Sequence, residues 1–130
     1  MLEIGIKGYQ ETIVTEQNTA AAVGSGVLAV FATPMMLALM EKTACDSVAP
    51  YLDEGWGSVG TKVDITHDAA TPLGMKVHCE SELIEVDGRR LLFTLKAYDE
   101  CGLIGQGTHE RFIVNNVKFQ SKTDAKALRA

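Results

Sequence analysis

The sequence lacks any hydrophobic run long enough to cross a membrane, because no stretch approaches the roughly 18 apolar residues that a spanning helix needs. Its N-terminus lacks the basic and then apolar regions of a secretory signal, so we expect a cytoplasmic protein. It also lacks an excess of cationic residues, since the formal net charge is −5. That charge argues against nucleic acid or an anionic membrane as a partner.

Cysteine is scarce, and the three cysteines lie far apart, at Cys45, Cys79 and Cys101. They form no zinc pattern and are odd in number, so buried reduced thiols are the favoured interpretation. No metal or redox cofactor is implied. Internal repeats, linkers and low-complexity tracts are missing as well. The 130 residues, 46% of them hydrophobic, therefore predict a single domain over residues 1–130.

The segment around Glu41 predicts a long apolar helix over about residues 34–48. Thr33 is a good N-cap, and Pro34 suits the first helical position, where its missing N–H is harmless. Large apolar residues surround Glu41, which predicts that this carboxylate is buried and must be paired, hydrogen-bonded or protonated. Thr33 and Glu41 are two i,i+4 steps apart, through Leu37, so they lie near one stripe of the helix. We expect the functional residues to lie along that stripe.

Strands dominate the rest of the chain. A short strand is predicted before the helix, then a small, flexible loop over residues 20–26 and a second short strand. After the helix the apolar residues alternate with polar ones, Asp87 and Gly88 form a strong hairpin turn, and the polar tail 117–130 is a short helix or frayed. The predicted strands cover residues 11–16, 27–30, 58–67, 75–83, 91–98 and 103–114. This pattern predicts an α+β fold with an antiparallel sheet wrapped around one long helix, whose open edges and face favour dimerisation.

Six segments carry a resemblance to a known family. They are residues 30–34 (VFATP), 40–41 (ME), 57–61 (GSVGT), 66–74 (THDAATPLG), 88–91 (GRRL) and 104–111 (IGQGTHER). In this order and spacing the chain resembles the hotdog-fold thioesterases, and within them the fluoroacetyl-CoA thioesterase-like group. The resemblance implies a hotdog fold, a homodimer and hydrolysis of a small acyl-CoA, or of another acyl thiol, to acid and thiol. Coenzyme A then enters only as part of the substrate.

The same resemblance implies a catalytic set of Thr33, Glu41 and His67, with Gly60 and Arg111 in contact with the substrate. The chemistry of these residue types is consistent with this. Thioester hydrolysis needs an attacking oxygen, a proton acceptor and stabilisation of an oxyanion. His67 titrates near neutrality and can take a proton from water or from Thr33. Glu41 can orient the imidazole, attack, or activate water.

Each candidate also has a structural explanation. Thr33 could serve only as a helix cap, Glu41 could lie on a solvated helix face, and His67 could be a surface loop residue. Arg111 could pair with Glu110 or Glu82. The remaining histidines, His78 and His109, are interpreted as structural or surface residues, and Arg89 and Arg90 as solvent-facing.

Substrate and reaction class stay open at this point. Relatives selective for fluoroacetyl carry aromatic residues ahead of the VFAT motif, whereas residues 24–28 here are GSGVL. A general short or medium acyl group is therefore expected. Two other functions fit the fold: a non-catalytic acyl-CoA-binding module, and a hydratase or dehydratase. The latter favours its histidine and acid in one short motif, whereas Glu41 and His67 come from separate elements.

Overall fold

The structure is a computed structural model that describes residues 2–130. Five strands form one antiparallel sheet in the order β1-β3-β4-β5-β2. The long helix α2 precedes β2 in the chain, and two short helices lie near the ends. The elements are β1 (Lys7–Ile13), α1 (Ala20–Val23), α2 (Thr33–Val48), β2 (Trp56–His67), β3 (Lys76–Asp87), β4 (Arg90–Asp99), β5 (Gly102–Asn115) and α3 (Asn116–Asp124). This confirms the predicted α+β architecture and the hotdog arrangement of sheet and helix.

The core lies between one face of the sheet and one face of α2. Alternate residues of β3 and β4 point inward, as their period-two pattern predicts, and they meet the apolar face of the helix. Phe93 and Leu83 face each other across the two strands and are fully buried. On the helix side the buried residues are Met36, Leu39, Met40, Ala44 and Val48. The opposite face of α2, which includes Ala38, Lys42 and Asp46, is exposed to solvent.

Several predicted details before α2 are wrong. The first strand lies earlier, at Lys7–Ile13, and the predicted strand 27–30 does not form. The predicted loop 20–26 instead begins as the helix α1, because the Thr19 hydroxyl accepts a hydrogen bond from the Ala22 N–H at 3.2 Å. Gly24 ends this helix in a left-handed conformation with φ of 82°. The tail is helical, since the Asn115 side chain caps α3.

Burial differs from the prediction at two kinds of residue. Glu41 was expected in an apolar surround, but α2 has one open face and the Glu41 side chain is 43% exposed. Among the cysteines only Cys79 is buried, whereas Cys45 is half-buried and Cys101 is exposed. Within residues 2–130, no helix is both long and apolar enough to span a membrane.

Among residues 2–130, strand β2 forms one edge of the sheet and pairs on one side only, with β5. The register of this pairing shifts between Gly60 and Lys62, which marks a β-bulge. Residues 60–64 of this strand are exposed, although Val63 lies in the predicted apolar series. A long strand with an unpaired edge is a template for pairing with another strand.

Candidate active site

A threonine and a histidine meet at one end of α2. Thr33 Oγ1 lies 2.7 Å from His67 Nδ1, although the two residues are 34 positions apart in the chain. Thr33 was predicted to cap α2, but it is the first helical residue, and the capping position belongs to Ala32, which makes no side-chain cap. The Thr33 hydroxyl is therefore bonded to the imidazole and not to the helix backbone.

The environment of His67 favours a neutral imidazole. Burial lowers the pKa of His67 below its ordinary value of 6.5, while the Ala69 backbone and the Asp68 carboxylate act in the opposite direction. Its Nε2 atom is buried and has no hydrogen-bond partner among residues 2–130. A neutral imidazole can accept a proton at neutral pH, which is the property a general base requires.

Thr33 and His67 share a small cavity of about 250 Å³. Its other walls come from the segment before α2 and from the loop after β2, and their side chains are mostly small. They include Ala20, Ser25, Val30, Phe31, Ala69 and Ala70. The N–H of Thr33 belongs to the first turn of α2, where backbone donors have no intrahelical acceptor and the helix dipole favours negative charge.

A second cluster surrounds Glu41, farther along α2. Glu41 Oε2 lies 3.8 Å from Arg111 Nη1, and it covers Gly60 so closely that a Cβ on this glycine would be 2.6 Å from the same oxygen. Arg111 is buried, and its guanidinium donates to the Ser58 hydroxyl and carbonyl at 2.8 and 2.9 Å. The predicted substrate residues Gly60 and Arg111 thus lie together, and the carboxylate nearest Arg111 is Glu41 and not Glu110 or Glu82.

The two clusters are separate within one chain. Eight residues of helix separate Thr33 from Glu41, which is about 12 Å of rise. Seven strand residues separate Gly60 from His67, which is about 23 Å. The structure therefore brings Thr33 to His67, and Glu41 to Gly60 and Arg111, but it does not bring Glu41 to His67. Each cluster includes a residue of strand β2, His67 in the first and Gly60 in the second.

His109 was interpreted as a structural or surface residue, and the structure excludes the surface alternative. Its side chain is 1% exposed and bonds to Arg111, with His109 Nε2 lying 3.1 Å from Arg111 Nη1. The contact between His109 and Arg111 could have been predicted from the sequence, because residues i and i+2 of a strand point to the same face and Arg111 was already a candidate. The two arginines after the hairpin turn contact other groups: Arg90 pairs with Glu110 and Glu85, and Arg89 lies over the Trp56 ring.

Comparisons with known proteins agree with the fold and with the family resemblance. The model of one protein family, described as fluoroacetyl-CoA-specific thioesterase, matches residues 14–117. A fluoroacetyl-CoA thioesterase from Streptantibioticus cattleyicolor is 46% identical over 97 residues, which are 75% of this chain and 70% of that protein.

Solved structures show the same similarity over nearly the whole chain. A fluoroacetyl-CoA thioesterase structure matches with a TM-score of 0.92 and 36% identity, covering 97% of this chain and 98% of the other. A mutant of such an enzyme in complex with fluoroacetate and CoA matches with a TM-score of 0.86 and 37% identity, covering 91% and 99%. A Thermus thermophilus protein described as a thioesterase superfamily member matches with a TM-score of 0.91 and 30% identity, covering 99% and 96%.

Proposed function

The chain belongs to the fluoroacetyl-CoA-specific thioesterase family, and from this premise we propose that it hydrolyses short acyl-CoA thioesters at the cavity shared by Thr33 and His67. The observation that carries the proposal is the 2.7 Å contact between Thr33 Oγ1 and His67 Nδ1. A hydroxyl within hydrogen-bond reach of a neutral imidazole is the arrangement that activates an oxygen for attack on an acyl group.

In the proposed reaction His67 takes a proton from the attacking oxygen, which belongs to the Thr33 hydroxyl or to a water molecule beside it. The oxygen attacks the thioester carbonyl carbon and forms a tetrahedral oxyanion. Collapse of this intermediate breaks the C–S bond, and the leaving sulfur takes the proton from the imidazolium. If Thr33 attacks, a water molecule then releases the acid by the same steps.

The oxyanion needs a donor close to the attacked carbon. The Thr33 N–H is well placed for this role, because it lies in the first turn of α2 beside the hydroxyl that contacts His67. The positive end of the helix dipole adds favourable electrostatic energy at the same place. Thr33 then contributes its hydroxyl and its backbone in one step of the reaction.

We propose that Glu41 reaches this site from a second copy of the chain. The exposed edge of β2 can pair with the same strand of a partner in antiparallel orientation. A pair centred near residues 63–64 places His67 opposite Gly60 of the partner subunit, and Gly60 is the residue that Glu41 covers. In such a homodimer each site combines Thr33 and His67 of one subunit with Glu41, Gly60 and Arg111 of the other.

Subunit mixing tests this assembly. Thr33→Ala and Glu41→Gln variants are each expected to be nearly inactive, but a dimer containing one of each has one site with both residues intact. Random reassociation of equal amounts should restore about a quarter of wild-type activity, because half of the dimers are mixed and each has one working site. If both residues of a site came from one subunit, no activity would return. Light scattering at micromolar concentration checks the dimer itself.

The proposed acyl group is small. The cavity of about 250 Å³ is bordered by alanine and serine side chains, and Val27 and Leu28 in the adjoining segment are highly exposed. Because residues 24–28 contain no aromatic side chain, we expect acetyl-CoA and other short acyl-CoA substrates to be hydrolysed about as well as fluoroacetyl-CoA.

The test of the activity is release of free thiol from a series of acyl-CoA substrates of increasing chain length, with wild type and His67→Ala measured together. Release that depends on His67 supports the proposal, and the preferred chain reports the size of the acyl pocket. Binding of acyl-CoA without release on any substrate would indicate a binding module instead. Reaction of enoyl-CoA without loss of the thioester would indicate a hydratase.

A further inference from the structure

His109 lies at the centre of the Glu41 cluster and makes two hydrogen bonds of opposite sense. His109 Nδ1 lies 2.8 Å from the Lys62 carbonyl oxygen, and Nε2 lies 3.1 Å from Arg111 Nη1. A carbonyl only accepts and a guanidinium only donates, so Nδ1 must carry the proton and Nε2 must be the acceptor. This geometry defines one neutral tautomer of the imidazole.

The two hydrogen bonds of His109 link the β-bulge of β2 to the Arg111 guanidinium. The Lys62 carbonyl belongs to the β-bulge of β2, where the register shifts after Gly60. Arg111 is held by Ser58 through Nε and Nη2, and His109 takes the remaining nitrogen, Nη1, which is also the atom nearest Glu41. His109 thus sets the position of the guanidinium nitrogen that faces the Glu41 carboxylate.

We propose that His109 is a positioning residue for acyl-CoA hydrolysis, which as the neutral imidazole protonated at Nδ1 holds the Arg111 guanidinium in place against Glu41 and Gly60. The proposal rests on the function proposed above for Arg111 and Glu41, and it gives His109 no contact with the reacting atoms. Loss of the Nε2 acceptor leaves Arg111 Nη1 without its closest partner and allows the guanidinium to move.

The surroundings of His109 favour the neutral form. Its charged neighbours are Arg111 on its own strand and Glu41 on α2, while β2 contributes the Lys62 carbonyl and β4 the Phe93 ring, with ring centroids 6.3 Å apart. Burial lowers the pKa of His109, and the Arg111 charge lowers it further, while the Lys62 carbonyl and Glu41 act in the opposite direction. A second proton on the ring would remove the Nε2 acceptor and place the His109 imidazolium against the Arg111 guanidinium.

Three substitutions separate the two bonds. His109→Gln puts an acceptor near the position of Nε2, His109→Asn puts a donor near the position of Nδ1, and His109→Leu removes both. His78→Leu is the matched control, because His78 stacks between Tyr9 and Tyr98, away from both clusters. The variants are assayed for kcat and KM by thiol release from acetyl-CoA.

The expected result is a rise in KM of about tenfold for His109→Asn and His109→Leu, the size of one lost hydrogen bond to a charged group. His109→Gln and the control should stay within about twofold of wild type, because they keep the Arg111 contact. A purely structural role would not separate Gln from Asn in this way. Equal KM values for all the His109 variants would overturn the proposal, and so would an Asn variant that outperforms Gln.

Nuclear magnetic resonance gives a readout that does not depend on activity. In wild type we expect the His109 ring to show the tautomer protonated at Nδ1, and the Arg111 Nε–H to give a sharp, slowly exchanging signal. His109→Gln should keep the Arg111 signal, and His109→Asn should lose it. A wild-type ring protonated at Nε2, or at both nitrogens, at neutral pH would overturn the proposal even if His109→Leu does not fold. If wild type neither binds nor hydrolyses acyl-CoA, the proposed function fails, while these spectra still decide whether His109 positions Arg111.

Discussion

Gly60→Ala offers a sharp test of the Glu41 cluster, because the structure defines what a single methyl group would touch. A Cβ at this position would lie 2.6 Å from Glu41 Oε2, 3.1 Å from His109 Cε1 and 3.5 Å from Arg111 Nη1. Ordinary contact begins near 3.4 Å, so the Glu41 oxygen must move by about 0.8 Å. Glu41 makes the larger movement, since it ends a flexible, half-exposed side chain, whereas the buried His109 ring yields by a few tenths of an ångström.

The expected effect on activity is large and the effect on stability is small. A displacement of about 1 Å in a catalytic group costs on the order of 10²-fold in rate, so kcat/KM should fall by about that factor. The free energy of unfolding should drop by about 1 kcal/mol, the lower end of the range for overpacking, because the displaced carboxylate can turn toward solvent. Thiol release from acetyl-CoA and urea unfolding measure the two quantities on the same sample.

Two other glycines supply the controls. In Gly57→Ala the new Cβ would lie 2.5 Å from Asn116 Oδ1, a comparable clash on the same strand but away from Glu41, so kcat/KM should stay within about twofold of wild type. In Gly105→Ala it would meet the Thr66 carbonyl oxygen at 2.6 Å, and since backbone cannot turn aside, we expect about 3 kcal/mol of destabilisation. Wild-type kcat/KM in Gly60→Ala would refute the reasoning, because it would mean that the position of the Glu41 carboxylate has no effect on the reaction.

Further predictions concern the histidines and Glu41. His67→Ala should lower kcat by about two to four orders of magnitude, the usual contribution of a general base; near-wild-type thiol release would exclude it from the mechanism. Burial lowers the pKa of His67 below 6.5, and a base must be neutral, so kcat/KM should decline at acidic pH with a midpoint below 6.5; a midpoint above 6.5 in the pH profile would have the wrong sign. Burial also lowers the pKa of His109. The unfolded chain therefore takes up this proton at higher pH than the folded one, and the free energy of unfolding should fall as the pH drops below 6.5, more steeply in wild type than in His109→Gln. Urea titrations on both sides of that pH measure this slope, and equal slopes would contradict it. Glu41→Gln should lose most activity with an unchanged unfolding midpoint, since the amide keeps the shape of the side chain; full activity would show that the charge is not needed.

Much of the fold follows from local patterns in the sequence. The Thr33-Pro34 pair marks the beginning of α2 to within one residue, because proline is favoured in the first turn, although the helix begins at Thr33 and not at Pro34. The strands after it follow from their period of two. The hairpin turn predicted at Asp87 and Gly88 lies one residue later, at Gly88 and Arg89, where Gly88 adopts a left-handed conformation with φ of 61°. Residues before α2 were harder to predict, because α1 depends on a Thr19 cap and on the bridge between Thr19 and Phe31, and not on apolar periodicity.

The candidate site was only partly accessible to the same reasoning. The family resemblance implied a shared role for Thr33 and His67, and the structure places the two in hydrogen-bond contact. The prediction that Glu41 is buried was wrong, because composition cannot show that one face of α2 stays open when the sheet covers only the other. The link from Arg111 through His109 to Lys62 depends on the bulge in β2, and a register shift between two strands leaves no mark in either strand alone.

In the segment between Thr19 and Phe31, the ends hold the fold together and the exposed tip borders the cavity. Its ends are joined by a bridge between these two residues and by the bond from the Ala20 N–H to the Val30 carbonyl at 2.8 Å. Its tip, residues 24–28, is exposed and contributes nothing to the core, yet Ser25 lines the cavity beside Thr33. Side chains of the tip beyond Gly24, which caps α1, can therefore change with little effect on the core. The protein can acquire a new acyl specificity there while the sheet, the helix and the reacting groups stay as they are.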